Sequence, residues 1–318
     1  MKKPWEGRGI ARGSPAIMNF VTTDSWREWC DAAFWCDESP RRNEGFRAGD
    51  VVFCKIDEVL GFFERLRLTR KRIILVTGEG DLPSDAFRQE FLPANVVRWF
   101  ATNVTAAHPR ATAIPLGLGS PRSAVTLRAS DILELRASEI VRDRWLYVNF
   151  RPDTNPVVRQ PVFEDFQNRS ESGEWITFQP PGERGGANTE FLGELLRHRF
   201  VLCPPGNGVD THRMWEALLA GAVPVVLRSQ AMEPFSELPL LFVEDFRQTT
   251  KDFLEKAFEK RPEPPDVHPL MTSEFWNNKI RDAADQLAAN PMMGWGEWTS
   301  EAFSYGREML GRRLERQD

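Results

Sequence analysis

The chain is poor in the residues that build metal centres and disulfide frameworks. It has four cysteines and four histidines in 318 residues. Cys30, Cys36, Cys54 and Cys203 form no CxxC pair, and no His/Cys cluster has zinc spacing, which excludes a zinc module. Cys54 and Cys203 sit in apolar, strand-like runs, where a thiol behaves as a small hydrophobe. Cys30 and Cys36 are read as reduced thiols of a cytoplasmic protein rather than as a pair. No apolar stretch approaches the ~18 residues of a membrane-spanning helix. The start, MKKPWEGRG, has no apolar signal-peptide core, and there is no lipidation motif, so a cytoplasmic location is expected. There is no basic block and the net charge is −5, a poor basis for nucleic-acid binding. Internal repeats are missing too, as is any Asp-x-Asp.

What is present is length, arginine and a regular alternation. At roughly 150 residues per domain, the chain has room for about two domains. Eight of its 41 basic residues are lysine and the other 33 arginine, whose guanidinium forks grip phosphates and carboxylates. Strand-like runs are expected at 51–54, 72–77 (RIILVT), 96–101 and 112–116. A helix is expected over 56–68, and a polar one over 130–142. A second series follows, with strands at 145–150, 175–178, 199–203, 223–227 and 240–243. Its helices are expected at 156–168, 189–198 and 211–220, the last closed by Gly221. Residues 179–188 read as loop, 261–268 as a Pro-rich linker, and the chain from Thr272 as mostly helical. Such alternation predicts parallel sheets with helices on both faces. The expected architecture is therefore α/β, with two Rossmann-like domains facing a central cleft and C-terminal helices packing back. The expected boundaries are 1–140, 141–265 and 266–318 (helical extension). Ligands of such folds bind beyond the carboxyl ends of strands, so the residues after strands carry the chemistry.

The most informative stretch is RFVLCPPGNGVDTHRMWEALLAGAVPVVLR, residues 199–228. A strand feeds a loop with Gly206, Asn207 and Gly208, which opens a helix near Asp210 or Thr211. The glycines would let backbone N–H groups approach a ligand, and a helix N-terminus is a seat for a diphosphate. On a wheel of 100° per residue, Met214, Trp215, Leu218 and Leu219 face the core. His212, Arg213 and Glu216 fall on the other arc, flanked by Ala217 and Ala220. Cations in the first turn suit phosphates, and a carboxylate one turn deeper can accept two ribose hydroxyls.

This segment resembles the donor-site signature of exostosin-like glycosyltransferases: strand, Pro-Gly loop, Asp, Ser or Thr, one residue or His, then Arg-x-Trp-Glu-Ala-Leu, Gly, and a Pro-Val strand. Arg98 to Gly117 (RWFATNVTAAHPRATAIPLG) resembles a segment of the other domain in the same relatives. Leu146 to Arg159 (LYVNFRPDTNPVVR) resembles the first strand and helix of the donor domain. The resemblance implies a GT-B fold and a transferase that inverts the anomeric centre without a metal or cofactor. It also implies a nucleotide-sugar donor, UDP-linked, and a glycan or glycoconjugate acceptor. By the same resemblance Glu216 binds the ribose and Arg213 the diphosphate, with Arg159, one turn into the helix after Asn149, placed to reach the diphosphate, and Asn149 and His212 beside them. The chain departs from the eukaryotic exostosins in lacking their membrane anchor and in being one transferase unit, which fits a bacterial or viral pathway better.

An inverting transfer needs a base for the acceptor hydroxyl, projecting across the cleft from the first domain. Asp81 is the first candidate, with Glu79 and His108 beside it. Glu79-Gly80-Asp81 also reads as a variant metal motif of the other transferase fold. Trp99 and Phe100 are candidates for stacking on an acceptor sugar. Two rival readings stand. Gly206-x-Gly208-x-x-Thr211 nearly matches a dinucleotide fingerprint, with Arg228 placed to read a 2′-phosphate, as in an NADP-dependent oxidoreductase. A sugar- or nucleotide-binding protein without catalysis would use the eleven Trp for stacking.

Overall fold

The computed structural model describes residues 19–34, 45–123, 126–137, 140–180, 189–260 and 267–315. The expectations for the chain start, for Cys36, for the loop over 181–188 and for the linker over 261–266 lie outside the described residues.

The first half opens with α1 (Ser25–Glu28) and a short strand, β1 (Ala32–Phe34). It continues through β2 (Val51–Lys55), α2 (Val59–Arg67), β3 (Ile73–Gly78), α3 (Ala86–Glu90), β4 (Val96–Ala101) and β5 (Ala111–Ala113). The five strands are parallel and lie side by side in chain order. β3 is buried at every position, which is why its sequence reads as an unbroken apolar run. Trp99 and Phe100 are buried core residues, and the Trp99 indole donates to Thr77 Oγ1 at 2.9 Å. Neither ring is open to a sugar, because β4 lies inside the sheet with both faces covered.

α4 (Ala129–Arg136) leads into the second half: β6 (Arg144–Val148), α5 (Pro156–Ser172), β7 (Ile176–Phe178), α6 (Thr189–Arg197) and β8 (His198–Leu202), then α7 (His212–Ala220), β9 (Val223–Leu227), β10 (Leu241–Val243) and α8 (Lys251–Lys260). This sheet is also parallel, but its order is β7-β6-β8-β9-β10. The chain leaves β6 to one side for β7 and returns on the other side for β8. Alternate side chains point to opposite faces of a strand. Tyr147 and Val201 therefore join one core, and Leu146, Val148, Phe200 and Leu202 the other. Phe166 of α5 and Leu254 of α8 cover the second; α6 and α7 cover the first.

The α6/α7 face is continuous with the core of the first sheet, through Ile132 of α4 and Leu195, Leu218 and Leu219. Two arginines reinforce the joint. Arg136 Nη1 donates to Leu219 O (3.0 Å), and Arg142 donates to Leu195 O (3.0 Å), His198 O (2.6 Å) and Ala220 O. Cations are favourable at the carbonyl ends of helices. The polar helix expected over 130–142 stops at Arg136. Residues 140–142 carry no helix, and they bring Arg142 to the ends of both α6 and α7.

The first sheet needs cover from outside its own series. Right-handed crossovers that always advance in one direction put their helices on one face. α9 (Ser273–Ala288) lies against β2, β3 and β4 and buries Trp276, Ile280 and Leu287. α10 (Trp295–Glu315) returns to α2: Arg67 pairs with Glu301 at 2.6 Å, and Trp298 Nε1 donates to Arg67 O at 2.9 Å. The segment from Asn19 to Thr23 is held between Leu118 and Met271, with Val21 N donating to Met271 O (3.1 Å) and Thr23 N to Leu118 O (3.0 Å). Gly117 has φ +72, and a Cβ there would lie 2.3 Å from Val21 O. Among the described residues no helix is long and apolar enough to cross a membrane.

Candidate active site

The reversal of strand order between β6 and β8 opens a crevice at their carboxyl ends, where doubly wound sheets bind ligands. Two loops meet there, residues 149–155 after β6 and 203–211 after β8. Asn149 Nδ2 donates to Gln179 O (3.1 Å), which ties the end of β6 to the end of β7. Asn155 Nδ2 donates to Gly206 O (2.9 Å), and Arg159 does more. Its Nε donates to Pro205 O and its Nη2 to Pro204 O, both at 2.9 Å; its Nη1 reaches Arg151 O and Thr154 Oγ1 at 3.0 and 2.6 Å. Arg159 is buried, and desolvation together with the neighbouring Arg213 brings its pKa down to about 10. The guanidinium is the brace of the loop.

The glycines of the loop accommodate protein rather than leaving space. A Cβ on Gly206 would lie 2.9 Å from Arg159 Nη2, and one on Gly208 would lie 2.7 Å from Asn103 Nδ2. This explains the Gly-x-Gly spacing without a dinucleotide. Arg228, placed by the rival reading at a 2′-phosphate, is paired with Glu233 and Glu244, each at 3.1 Å.

α7 begins after Thr211, the N-cap residue, which makes no side-chain capping bond. Its core arc is Met214, Trp215, Leu218 and Leu219, all buried. Ala217 and Ala220, which flank the polar arc, are fully buried as well. His212, Arg213 and Glu216 are half-buried on the remaining arc. The Arg213 guanidinium lies over the Phe191 ring at 4.7 Å, and its Nη1 is enclosed without a hydrogen-bond partner. Burial pushes the Glu216 carboxyl above its ordinary range, against the pull of Arg213 and His212. Asp210 is buried, with Oδ1 accepting from Trp215 Nε1 (2.8 Å) and Oδ2 from Leu116 N (2.7 Å). Desolvation raises its pKa to about 7 in spite of these bonds.

The first half faces this loop with the carboxyl ends of β3 and β4. Glu79, in the left-handed region at φ +54, is held by Arg27 at 3.1 Å, and burial raises its pKa. Asp81 is exposed, and its Oδ2 accepts from Asn207 Nδ2 at 3.0 Å. Asp81 and the loop after β8 are thus in contact. His108 is not part of this group. It forms a turn before β5, where its Nδ1 accepts from Arg110 N (3.1 Å) and Arg110 Nη1 reaches Val96 O at the start of β4. That is the opposite end of the strands. Among the described residues no group of three or more His, Cys, Asp or Glu could hold a metal ion. A cavity of about 820 Å³ lined by Phe20, Trp29, Leu118 and Leu133 touches none of the candidate residues.

Sequence reasoning missed Asn103, Gly117 and Arg27 as parts of the site. Asn103 was visible only as an Asn after a strand. Its side-chain Oδ1 accepts from Asp210 N at 2.8 Å, across the two halves. Gly117 O accepts from His212 Nδ1 at 2.8 Å. Such partners lie about a hundred residues apart, and no local pattern marks them.

Comparison with protein-family models matches residues 116–239 to the exostosin GT47 domain. No curated protein matches. Among solved structures, the chain is similar to a UDP-GlcNAc 2-epimerase from Methanocaldococcus jannaschii, at 13% identity over 74% of this chain and 77% of that one, TM-score 0.36. It is also similar to a UDP-forming α,α-trehalose-phosphate synthase from Burkholderia xenovorans, at 11% identity over 76% and 75%, TM-score 0.44. These scores are low, and the family match is the finding that bears on function.

Proposed function

We propose, from the match of residues 116–239 to the exostosin GT47 domain, that the chain is an exostosin-like glycosyltransferase that moves a sugar from a nucleotide sugar, UDP-linked, to a hydroxyl of a glycan or glycoconjugate, with inversion and without a metal or cofactor. The observation that supports this most is the enclosed, unpartnered Arg213 Nη1 beside Glu216, at the N-terminal end of α7 and at the strand-order reversal. A buried donor without an acceptor is costly, and a diphosphate oxygen removes the cost. In this reading Arg213 and the N–H groups opening α7 hold the diphosphate. Glu216 accepts the ribose hydroxyls. The positive charge that a metal would supply comes from the guanidinium and the helix terminus. Arg159, Asn149 and Asp210 shape the loops, and their polar atoms go to protein partners.

Asp81 is the proposed base. It is exposed, it lies on the loop after β3, and it touches the donor loop through Asn207. Glu79 has an oxygen enclosed and is paired with Arg27, so it supports the turn that presents Asp81. A cytoplasmic pathway is the proposed setting.

The test is release of UDP from UDP-galactose, UDP-GlcNAc, UDP-glucuronate and UDP-xylose, with and without EDTA, by wild type and by Asp81→Asn. The expectation is turnover of one of them that EDTA leaves unchanged and that falls by roughly 10²–10⁴-fold in the variant. Glu79→Gln should cost less. Turnover abolished by EDTA, or unaffected by Asp81→Asn, contradicts the proposal.

A further inference from the structure

The loop after β8 and the first residue of α7 are joined to the first half at four points, over residues 207–212. Asn207 Nδ2 donates to Asp81 Oδ2, Asp210 N to Asn103 Oδ1, Leu116 N to Asp210 Oδ2, and His212 Nδ1 to Gly117 O, at 3.0, 2.8, 2.7 and 2.8 Å. The outer two involve exposed or half-buried groups. The inner two meet at Asp210 and Asn103, which are 2% and 5% exposed. Neither residue is an easy choice for such a place. A buried carboxylate is costly to desolvate, and a hydrophobic side chain could fill the space. Asn103 holds φ +51, and among the described residues only Glu79 shares that left-handed geometry outside glycine. Strain of this kind persists where the surroundings over-determine it. Here the twist carries Asn103 Oδ1 to the N–H of Asp210, while Gly208 makes room for its amide.

The same two residues bracket the reacting groups. Glu79 and Asn103 lie just beyond the ends of neighbouring strands, β3 and β4, and Asp81 follows Glu79 by two residues. Asp210 lies just before α7, which carries His212, Arg213 and Glu216 and whose lower face is locked into the shared core. With its core arc fixed below and its first residues fixed above, α7 has one position relative to the loop that carries Asp81. Domain pairs in one chain ordinarily move against each other unless a large apolar interface joins them. This chain has such an interface and a buried polar lock on top of it.

We infer that Asn103 and Asp210 are positioning residues, which set the register between the donor half and the base-bearing loop. This rests on the transferase reading above. Binding of the nucleotide belongs to the second half alone, whereas the attack needs both halves in register. A misplacement of about 1 Å costs roughly a hundredfold in rate. Loss of the lock therefore lowers turnover while leaving nucleotide affinity in place.

The experiment compares wild type with Asn103→Ala and Gly208→Ala, which break the contact from opposite sides. Affinity for UDP is read by calorimetry, and turnover by UDP release from the donor that wild type accepts. The expected result is an affinity for UDP within about threefold of wild type and a kcat lower by roughly 30- to 100-fold in both variants. Equal losses of affinity and kcat would mean general damage to the loop and overturn the inference. So would a kcat within about threefold of wild type. Failure of the parent reading looks different: wild type then neither binds UDP nor turns over a UDP-sugar, and the inference falls with it.

Discussion

Both halves of the molecule are five-stranded parallel sheets, and they solve the burial problem in opposite ways. The second reverses its strand order, so its own helices cover both faces and a crevice opens at β6 and β8. The first advances in one direction, has no such crevice, and borrows cover for one face from α9. The half with the reversal carries the helix terminus, the Arg213 Nη1 that lacks a hydrogen-bond partner and the half-buried Glu216 carboxylate. The half without it supplies carboxyl ends of strands, one exposed acid, and the struts that hold the loop opposite. In the proposed function, strand order thus divides the labour between binding and positioning before any side chain is considered.

The comparison breaks most visibly by removing the borrowed element. Deleting residues 267–318 removes Trp276, Ile280 and Leu287 from the first core. At ~1.5–3 kcal/mol for each buried side chain, the loss approaches the ~5–15 kcal/mol that holds a whole domain. The truncated chain is expected to lose its cooperative melt, read by circular dichroism. A melt like that of the full chain would show that the first sheet stands alone.

A smaller effect separates the joint from the second half by pH. His198, in the sheet, is fully buried between Glu194 O and Thr177 Oγ1 at 2.7 Å each, and desolvation brings its pKa from 6.5 to about 4. The unfolded chain takes up that proton first, so His198 costs stability as pH falls from about 6.5 towards about 4. Asp210, at the joint, runs the other way. Its pKa is raised from 3.8 to about 7, so the unfolded chain loses the proton first and stability falls as pH rises across that window. In wild type the two slopes oppose each other. Asp210→Asn should gain stability relative to wild type as pH rises from 4 to 7, by at most ~1.4 kcal/mol per pH unit, read from melting curves. A difference that is level with pH contradicts the burial argument for Asp210.

The smallest expected effect is at Arg228, whose ion pairs with Glu233 and Glu244 are exposed. Arg228→Ala should change stability by less than ~0.5 kcal/mol. NADPH binding that the variant loses would revive the oxidoreductase reading.

Much of the fold was legible because parallel strands buried on both faces leave continuous apolar runs. β4 and β9 lie where RIILVT-like patterning placed them, at 96–101 and 223–227. α7 was legible through its wheel, which separated Trp215 and Leu218 from Arg213 and Glu216. α1, β1 and α3 were not, since four, three and five residues carry too little periodicity to stand out. α8 was missed although Phe253, Leu254, Ala257 and Phe258 have helical spacing, a signal that could have been used. The candidate site was legible only along the chain. Arg159 reads like a phosphate ligand until its carbonyl partners are seen, and the glycines read like ligand space until Arg159 and Asn103 are found filling it. Contacts between residues 103 and 210, or 81 and 207, are set by how two sheets dock, which no local pattern encodes.

The central claim is that the crevice at β6 and β8 binds the nucleotide through Arg213 and Glu216. Its most direct test is a calorimetric titration of UDP into wild type and Glu216→Gln, both in EDTA. The account predicts saturable binding to wild type and an affinity roughly ten- to a hundredfold weaker in the variant, with the melting curve little changed, as loss of a charged hydrogen bond implies. Equal affinity in the two proteins, or no binding to wild type at all, would contradict it.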